Sequence, residues 1–277
     1  MKMNIRIKNI LGRIFTVWGG IVFIGTMLII IIPAWATKFI KEPKRTRIFI
    51  QLCRIWMAMF YPLAFIRVKI TGRENFKPNE NYIVVCNHSS MMDVPITSPG
   101  IPGTNKTIAK VELAKIPLFG IIYKRGSVLI DRKDENSRKY SYNKMKWVLD
   151  QGLHMCIYPE GTRNKTNNPL KSFHDGAFKL SFDTRKEIVP AILIGTKSML
   201  PSDKSFFFWP GKITMHFMEP ISPSKFNSAS EMKEYVFKLM WEEIIRQTTD
   251  VRSQTSGVRR QESDVRSQTS GVRRYKY

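Results

Sequence analysis

Between Arg13 and Lys38 the chain runs for 24 residues, Ile14 to Thr37, without a charged side chain. Water-exposed loops do not have this composition, and strands are rarely so long. As a helix rising about 1.5 Å per residue, the segment is long enough to cross a hydrocarbon layer of about 30 Å. Trp18 and Trp35 lie where the two lipid–water boundaries would fall. Lys2, Arg6, Lys8 and Arg13, followed by an apolar run and Ala34-Trp35-Ala36, also fit the outline of a cleaved signal peptide, and a buried core helix could share the composition. Signal peptides use apolar runs of only about 7–15 residues, so the length favours a retained membrane anchor. A second apolar run, Ile55 to Ile66, has twelve residues between Arg54 and Arg67. It is too short to span and predicts an interfacial segment or a hairpin partner for the first helix. Basic residues flank the long run on both sides, so charge asymmetry does not orient it.

The 277 residues carry 45 Lys and Arg against 22 Asp and Glu, a net charge of +23, and 43% of them are hydrophobic. That hydrophobic share supports a folded core and excludes a wholly disordered chain. The basic excess is spread over the N-terminal segment, the middle and the end, so an anionic partner is expected: acidic lipid, a phosphorylated small molecule or nucleic acid. Cys53, Cys86 and Cys156 show no Cys-x-x-Cys spacing, which argues against a disulfide framework and a thiolate zinc site and favours a reducing compartment. His88, His154, His174 and His216 are not paired at metal-ligand spacing, so no metal is expected. Asp250 to Arg260 recurs identically as Asp264 to Arg274. Rich in Ser, Gln and Arg, this repeat predicts a disordered basic tail, which could be passive or serve as a surface-binding arm.

From residue 66 onward, short β-branched runs alternate with helical patterns. Strands are predicted at 66–71, 82–86, 127–130, 154–158, 188–194 and 213–217, and helices at about 112–124, 134–151, 171–183 and 229–248. The last helix opens on a capping box, Ser228-x-x-Glu231. The alternation predicts an α/β fold with a mainly parallel or mixed central sheet flanked by helices, preceded by the N-terminal membrane-anchoring helical segment. The corresponding division is 1–65 for that segment, 66–249 for the α/β domain and 250–277 for the tail.

In such sheets chemistry gathers where strands end in loops. One such end is Asn87-His88-Ser89-Ser90-Met91-Met92-Asp93, in which His88 leaves a strand and Asp93 follows five residues later. A carboxylate so placed can fix an imidazole tautomer and stabilise the imidazolium, the base half of a triad with no evident serine. Taken alone, the pair could equally be a surface histidine beside an unrelated aspartate. The second end is Tyr158-Pro159-Glu160-Gly161-Thr162-Arg163. Arg163 offers a planar fork for phosphate, Glu160 an acceptor for a hydroxyl, and Gly161 a close backbone approach, although an ordinary solvated loop could have the same residues. Lys110 could supply a second positive charge to the same phosphate.

Together these blocks resemble the glycerolipid acyltransferase family, typified by the lysophosphatidic acid (1-acylglycerol-3-phosphate) acyltransferases. His88-x-x-x-x-Asp93, the stretch from Lys110 through Gly120 and Gly126 to Arg132, Glu160-Gly161-Thr162-Arg163, and Val189-Pro190-Ala191 follow one another in the family's order. Phe173-x-x-Gly176-Ala177-Phe178 adds a local similarity, and the likeness covers roughly residues 66–222. Ser89 and Asn164 stand where many relatives have glutamine and serine. The resemblance implies His88 and Asp93 as the catalytic pair, with Lys110, Arg132, Glu160, Gly161, Thr162 and Arg163 holding a glycerol phosphate and the Pro190 region near the oxyanion. It further implies acyl transfer from acyl-CoA or acyl-carrier protein to lysophosphatidic acid, giving phosphatidic acid at a membrane. No cofactor is implied beyond the acyl donor, and no nucleic acid partner is expected. Membrane phospholipids are expected partners, with the catalytic domain on the cytoplasmic face.

Three alternatives stay open at this level. The acceptor could be another lysolipid or glycerol 3-phosphate. Cys86 or Cys156 could act as a thiol nucleophile with His88 as its base. A non-enzymatic, membrane-tethered basic binding protein would explain the charge but not the ordered blocks.

Overall fold

The structure, a computed structural model, describes residues 4–249; the repeat and the tail lie outside this range. It begins with α1 (Ile5–Ala36), capped by the Asn4 side chain, which accepts the Arg6 N–H at 2.9 Å. After a turn the chain doubles back as α2 (Lys44–Leu63). The two helices are antiparallel: Trp18 Nε1 donates to Leu63 O at 2.8 Å and Trp56 Nε1 to Thr26 Oγ1 at 3.0 Å. The hairpin partner is therefore present, and it starts eleven residues before the apolar run. Thr46, Phe49, Ile50, Cys53, Trp56, Met57 and Phe60 are its buried positions, at helical spacing that runs through the basic residues as well.

The segment Ile5–Phe39 is long and apolar enough to cross a membrane, with a mean hydropathy of 2.4, and only a third of its most apolar window is buried. Its other face shows Ile14, Ile21, Ile24, Leu28, Ile29 and Ile32 to the surroundings. The buried face does more than meet α2. Gly12 lies under Phe207, where a Cβ would come within 2.4 Å of the ring, and Gly19 lies under Phe208. Phe23 stacks on Phe119 with centroids 5.8 Å apart. The hairpin is thus packed against the body of the protein and does not stand clear of it.

That body is a seven-stranded sheet of β1 (Arg67–Thr71), β2 (Ile83–Cys86), β3 (Asn105–Lys110), β4 (Ser127–Ile130), β5 (His154–Ile157), β6 (Ile188–Ile194) and β7 (Lys212–Phe217), in the order β1-β7-β6-β2-β5-β3-β4. Every pairing is parallel except β6 with β7, so the sheet is mixed. Strand alternation divides the core in two. Val84, Cys86, Cys156 and Val189 face the layer that contains α1, α2 and α3 (Asp93–Gly100). Ile83, Val85, Met155, Ile157 and Ile188 face the layer built from α5 (Glu135–Asp150), α6 (Gly176–Thr184) and the helix over residues 229–249. Two further short helices are α4 (Phe119–Gly126) and α7 (Thr196–Met199), and the 229–249 helix is α8.

All six predicted strands are present, and β3 is an addition. Its sequence, Asn-Lys-Thr-Ile-Ala-Lys, lacks an apolar run, yet Asn105, Lys106 and Thr107 are all buried. Tertiary pairing between β5 and β4 overrides a weak local preference. The helix predicted over 112–124 is instead a 3₁₀ turn, Val111–Lys115, followed by α4. Pro117 separates them, because it has no N–H to donate and disfavours the helical conformation in the residue before it. The helix predicted from 171 begins only at Gly176, since the Lys171 and His174 N–H groups are engaged by Glu160 Oε2 and Pro159 O. At α8, Ser228 Oγ accepts the Glu231 N–H at 3.1 Å, as a capping box requires, while the Glu231 carboxylate reaches the N–H of Asn227 instead of Ser228.

Candidate active site

The neighbouring strands β2, β5, β3 and β4 are mutually parallel, so their C-terminal ends open on one edge of the sheet. From those ends come His88, the loop Tyr158–Arg163, Lys110 and Arg132. The chain leaves β2 rightward to β3 and later returns on its other side as β6, so β2 marks a reversal of strand order, where α/β sheets form crevices.

The exit from β2 is locked by a side chain that imitates a peptide. Asn87 accepts the Leu193 N–H at 2.7 Å and donates to Leu193 O at 3.0 Å. The next residue, His88, is held on three sides. Its N–H donates to Glu160 Oε1 at 2.7 Å, its carbonyl accepts from the Asn164 N–H at 2.6 Å, and its Nδ1 lies 2.8 Å from Asp93 Oδ2. Asp93 Oδ2 also accepts the N–H groups of Ser89 at 2.7 Å and Ser90 at 2.8 Å. An oxygen that already accepts two amides is a carboxylate acceptor, so Nδ1 carries the hydrogen and Nε2 keeps its lone pair. Asp93 is fully buried at the start of α3, where the helix dipole favours negative charge, and its Oδ1 has no hydrogen-bond partner among the described residues. This arrangement can remove a proton from a group that approaches Nε2.

His88 opens on a cavity of about 610 Å³ whose lining includes Lys110, Arg132, Arg163, Lys165 and Lys171, together with Gly161 and Thr162. No carboxylate is among its lining residues. Arg132 Nη1 donates to Gly161 O, and Lys171 Nζ donates to Thr162 Oγ1 at 2.8 Å, so two of the cations also shape the loop. Gly161 is required there: its φ is +70° and a Cβ would meet the His174 ring at 2.7 Å. Burial lowers the pKa of Arg132, yet an arginine stays charged through the physiological range. A second, mostly apolar cavity of about 380 Å³ lies between the helix hairpin and the domain, lined by Gly19, Phe23, Cys53, Trp56, Met57 and Phe60 among others. Met91, Val94, Thr107 and Tyr123 line both cavities.

Seven of the nine expected site residues converge here: His88 and Asp93 as a hydrogen-bonded pair, and Lys110, Arg132, Gly161, Thr162 and Arg163 around the cavity. The other two do not offer a contact surface. Glu160 is 2% exposed, and its two oxygens are taken by the N–H groups of His88 and Lys171, at 2.7 and 2.9 Å. Its burial raises its pKa, against which those two bonds act, and the side chain braces the loop instead of reaching a hydroxyl in the cavity. Pro190 is buried inside β6 beside Val85, and its carbonyl accepts the Met218 N–H at 2.8 Å. Its partner Val85 precedes His88 by three residues, so Pro190 lies within the sheet and not at the strand ends. The thiol alternative also loses its footing: Cys86 and Cys156 are fully buried in the core with their sulfurs 3.9 Å apart, and burial pushes the Cys86 thiol well above its ordinary pKa. Among the described residues, no group of His, Cys, Asp and Glu could hold a metal ion. Sequence reasoning missed Lys165 and Lys171, which have no spacing signal, and the part played by Tyr158, whose ring stacks on His88 with centroids 4.4 Å apart.

Residues 67–194 match the Acyltransferase family model. A 1-acyl-sn-glycerol-3-phosphate acyltransferase of Chlamydomonas reinhardtii is 28% identical over 214 residues, covering 74% of this chain and 64% of that protein. A chloroplastic 1-acyl-sn-glycerol-3-phosphate acyltransferase of Arabidopsis thaliana is 28% identical over 229 residues, covering 81% of this chain and 62% of its own length. The chain thus spans less than two thirds of either relative. The crystal structure of the 1-acyl-sn-glycerophosphate (LPA) acyltransferase PlsC from Thermotoga maritima shares the fold, with a TM-score of 0.70 at 24% identity over 88% of this chain and 97% of that one. Residues 67–194 are thus similar to the acyltransferase family, and the chain resembles the 1-acyl-sn-glycerol-3-phosphate acyltransferases.

Proposed function

We propose that the protein is a 1-acylglycerol-3-phosphate O-acyltransferase, which moves a fatty acyl group from acyl-CoA or acyl-carrier protein to the free hydroxyl of lysophosphatidic acid and yields phosphatidic acid for phospholipid biosynthesis. The observation that carries this reading is the meeting of two unlike cavities beside one base. His88 borders a cationic cavity suited to a phosphate monoester, and that cavity shares four lining residues with an apolar one suited to an acyl chain. A substrate with its phosphate among Lys110, Arg132 and Arg163 and a chain among Phe23, Trp56 and Phe60 has its reacting group near Nε2.

The step follows from those positions. The acceptor hydroxyl oxygen attacks the thioester carbonyl carbon while His88 Nε2 takes its proton and Asp93 stabilises the resulting imidazolium. The tetrahedral intermediate collapses, the carbon–sulfur bond breaks, and the proton passes from His88 to the departing thiolate. No acyl-enzyme is required, because a thioester is already activated.

Lysophosphatidic acid and product both prefer a bilayer, so the exposed face of α1 seats the site where its substrates are. Since α1 is packed along the domain, the hairpin lies at the membrane with the cationic cavity turned toward the headgroups. Basic residues around it gather anionic lipid, and the catalytic domain faces the cytoplasm.

Acyl transfer from acyl-CoA and acyl-carrier protein to lysophosphatidic acid in detergent tests the proposal against folded His88→Ala. The expected result is transfer by the native protein and a loss of about 10²–10⁴-fold in the variant. Undiminished transfer in His88→Ala, or no transfer to lysophosphatidic acid, other lysolipids or glycerol 3-phosphate, would overturn it.

A further inference from the structure

A single hydrogen bond to Nδ1 leaves the His88 ring free to rotate about the bond axis and to tip Nε2 away from the cavity. A second restraint is needed on the ring face, and the structure supplies one. The Tyr158 ring lies on the imidazole with centroids 4.4 Å apart and planes inclined by 29°. Its hydroxyl is 2.6 Å from Thr97 Oγ1. Thr97 Oγ1 in turn lies within donating distance of Val94 O, 3.4 Å, which leaves the Tyr158 hydroxyl as the donor in the shorter bond. Thr97 is 1% exposed and follows Asp93 by four residues on α3, so the two side chains share one face of that helix.

We propose that α3 clamps the His88 imidazole twice, with Asp93 gripping the ring edge and Thr97, through Tyr158, gripping the ring face. Tyr158 is thereby a positioning residue for the base, and Thr97 positions it in turn. The stacked ring does a second service: its π face is electron-rich and favours the imidazolium over the neutral imidazole as the proton arrives. Burial pushes the Tyr158 hydroxyl well above its ordinary pKa, so it stays a neutral donor throughout. Glu160, two residues after Tyr158, holds the His88 main chain, so one loop restrains both the backbone and the ring. Tyr158 follows β5 and α3 follows β2, and these strands pair in register, so the clamp joins the two central strand ends.

This inference rests on His88 acting as the base, and the test separates the two. Acyl transfer is measured for the native protein, His88→Ala, Tyr158→Leu, Tyr158→Phe, Thr97→Val and the Tyr158→Phe/Thr97→Val pair, each in detergent and each checked by thermal unfolding. Tyr158→Leu is expected to lower kcat about tenfold or more with KM for both substrates within about twofold, because orientation of a bound base is a transition-state property. Tyr158→Phe keeps the stack and loses the tether, so it should retain most of what Tyr158→Leu loses. Thr97→Val should match it, and the pair should be no worse than either single variant, because one bond can be lost only once. Native kcat in Tyr158→Leu, or a change confined to KM, overturns the clamp. If Tyr158→Leu fails to fold, additive losses in the Phe/Val pair, or no loss in any of the three, overturn it. Full activity in His88→Ala would instead sink the assignment of the base.

Discussion

Replacing Glu160 by glutamine changes one atom and tests whether the carboxylate braces the protein or binds substrate. In the native protein its oxygens accept main-chain N–H groups from His88 at 2.7 Å and Lys171 at 2.9 Å, with the side chain 2% exposed. Glutamine keeps one acceptor and turns an NH₂ toward the other N–H, so one charge-assisted bond is lost and a buried donor faces a donor. Such bonds contribute about 1.5–3 kcal/mol, and release of the carboxylate's own burial cost offsets part, leaving a loss of about 2 kcal/mol. For a body of this size that is a drop of about 4–8 °C in Tm. Because one of the two N–H groups belongs to His88, kcat should fall as well, by about tenfold, with KM for the acceptor little changed. Thermal unfolding followed by tryptophan fluorescence in detergent, beside acyl-transfer kinetics, reads both quantities. A variant with native Tm and a KM for the acceptor raised more than tenfold would refute the brace and return Glu160 to the substrate.

Two other perturbations probe the scaffold. Glu42, in the turn between α1 and α2, lies 3.2 Å from the Lys106 ammonium, and both side chains are largely buried. Glu42→Ala strands the lysine and should cost about 3 kcal/mol, much of it recovered when Lys106→Met is added; equal stability of the single and double variants in thermal unfolding would show that the pair is solvated and idle. His154 is buried, accepts the Tyr82 N–H at Nδ1 at 3.0 Å, and has its pKa lowered by burial to about 4. Its unfolded value is near 6.5, so between these pH values the unfolded chain binds the extra proton: stability is fully present above about pH 6.5 and falls by about 3 kcal/mol as the pH drops toward 4. Tm measured from pH 7.5 to 5 should decline more steeply in the native protein than in His154→Gln, and parallel profiles would contradict it.

What the sequence disclosed depended on whether a feature leaves a local trace. The six strand runs, α5 and the start of α8 carry periodicity or caps, and they were readable. The His88–Asp93 pair was legible because both residues flank one turn after a strand. β3 was hidden, since its burial comes from its two neighbours and not from its own composition. α3 was hidden too: Pro95 and Pro99 in eight residues contradict helical propensity, and the helix persists because its ends and its Thr97 face are fixed by the site. The surroundings of Glu160 are hidden for a related reason, because nothing in a loop sequence tells whether an acid faces a cavity or the backbone of another strand. Pro190 is marked by its position in a motif, whereas only the register of β6 on β2 shows that it lies beside Val85.

The packing of α1 also bears on how the protein is made. The helix leaves the ribosome well before the surfaces that cover Gly12 and Gly19, which come from Phe207 and Phe208, some two hundred residues later. Until those arrive, α1 has an uncovered apolar face on both sides. With α1 seated in lipid as proposed, insertion is expected to come before the domain closes against the helix. A shortened chain that starts after α2 would lack one wall of the apolar cavity and expose Phe119, Phe207 and Phe208 together.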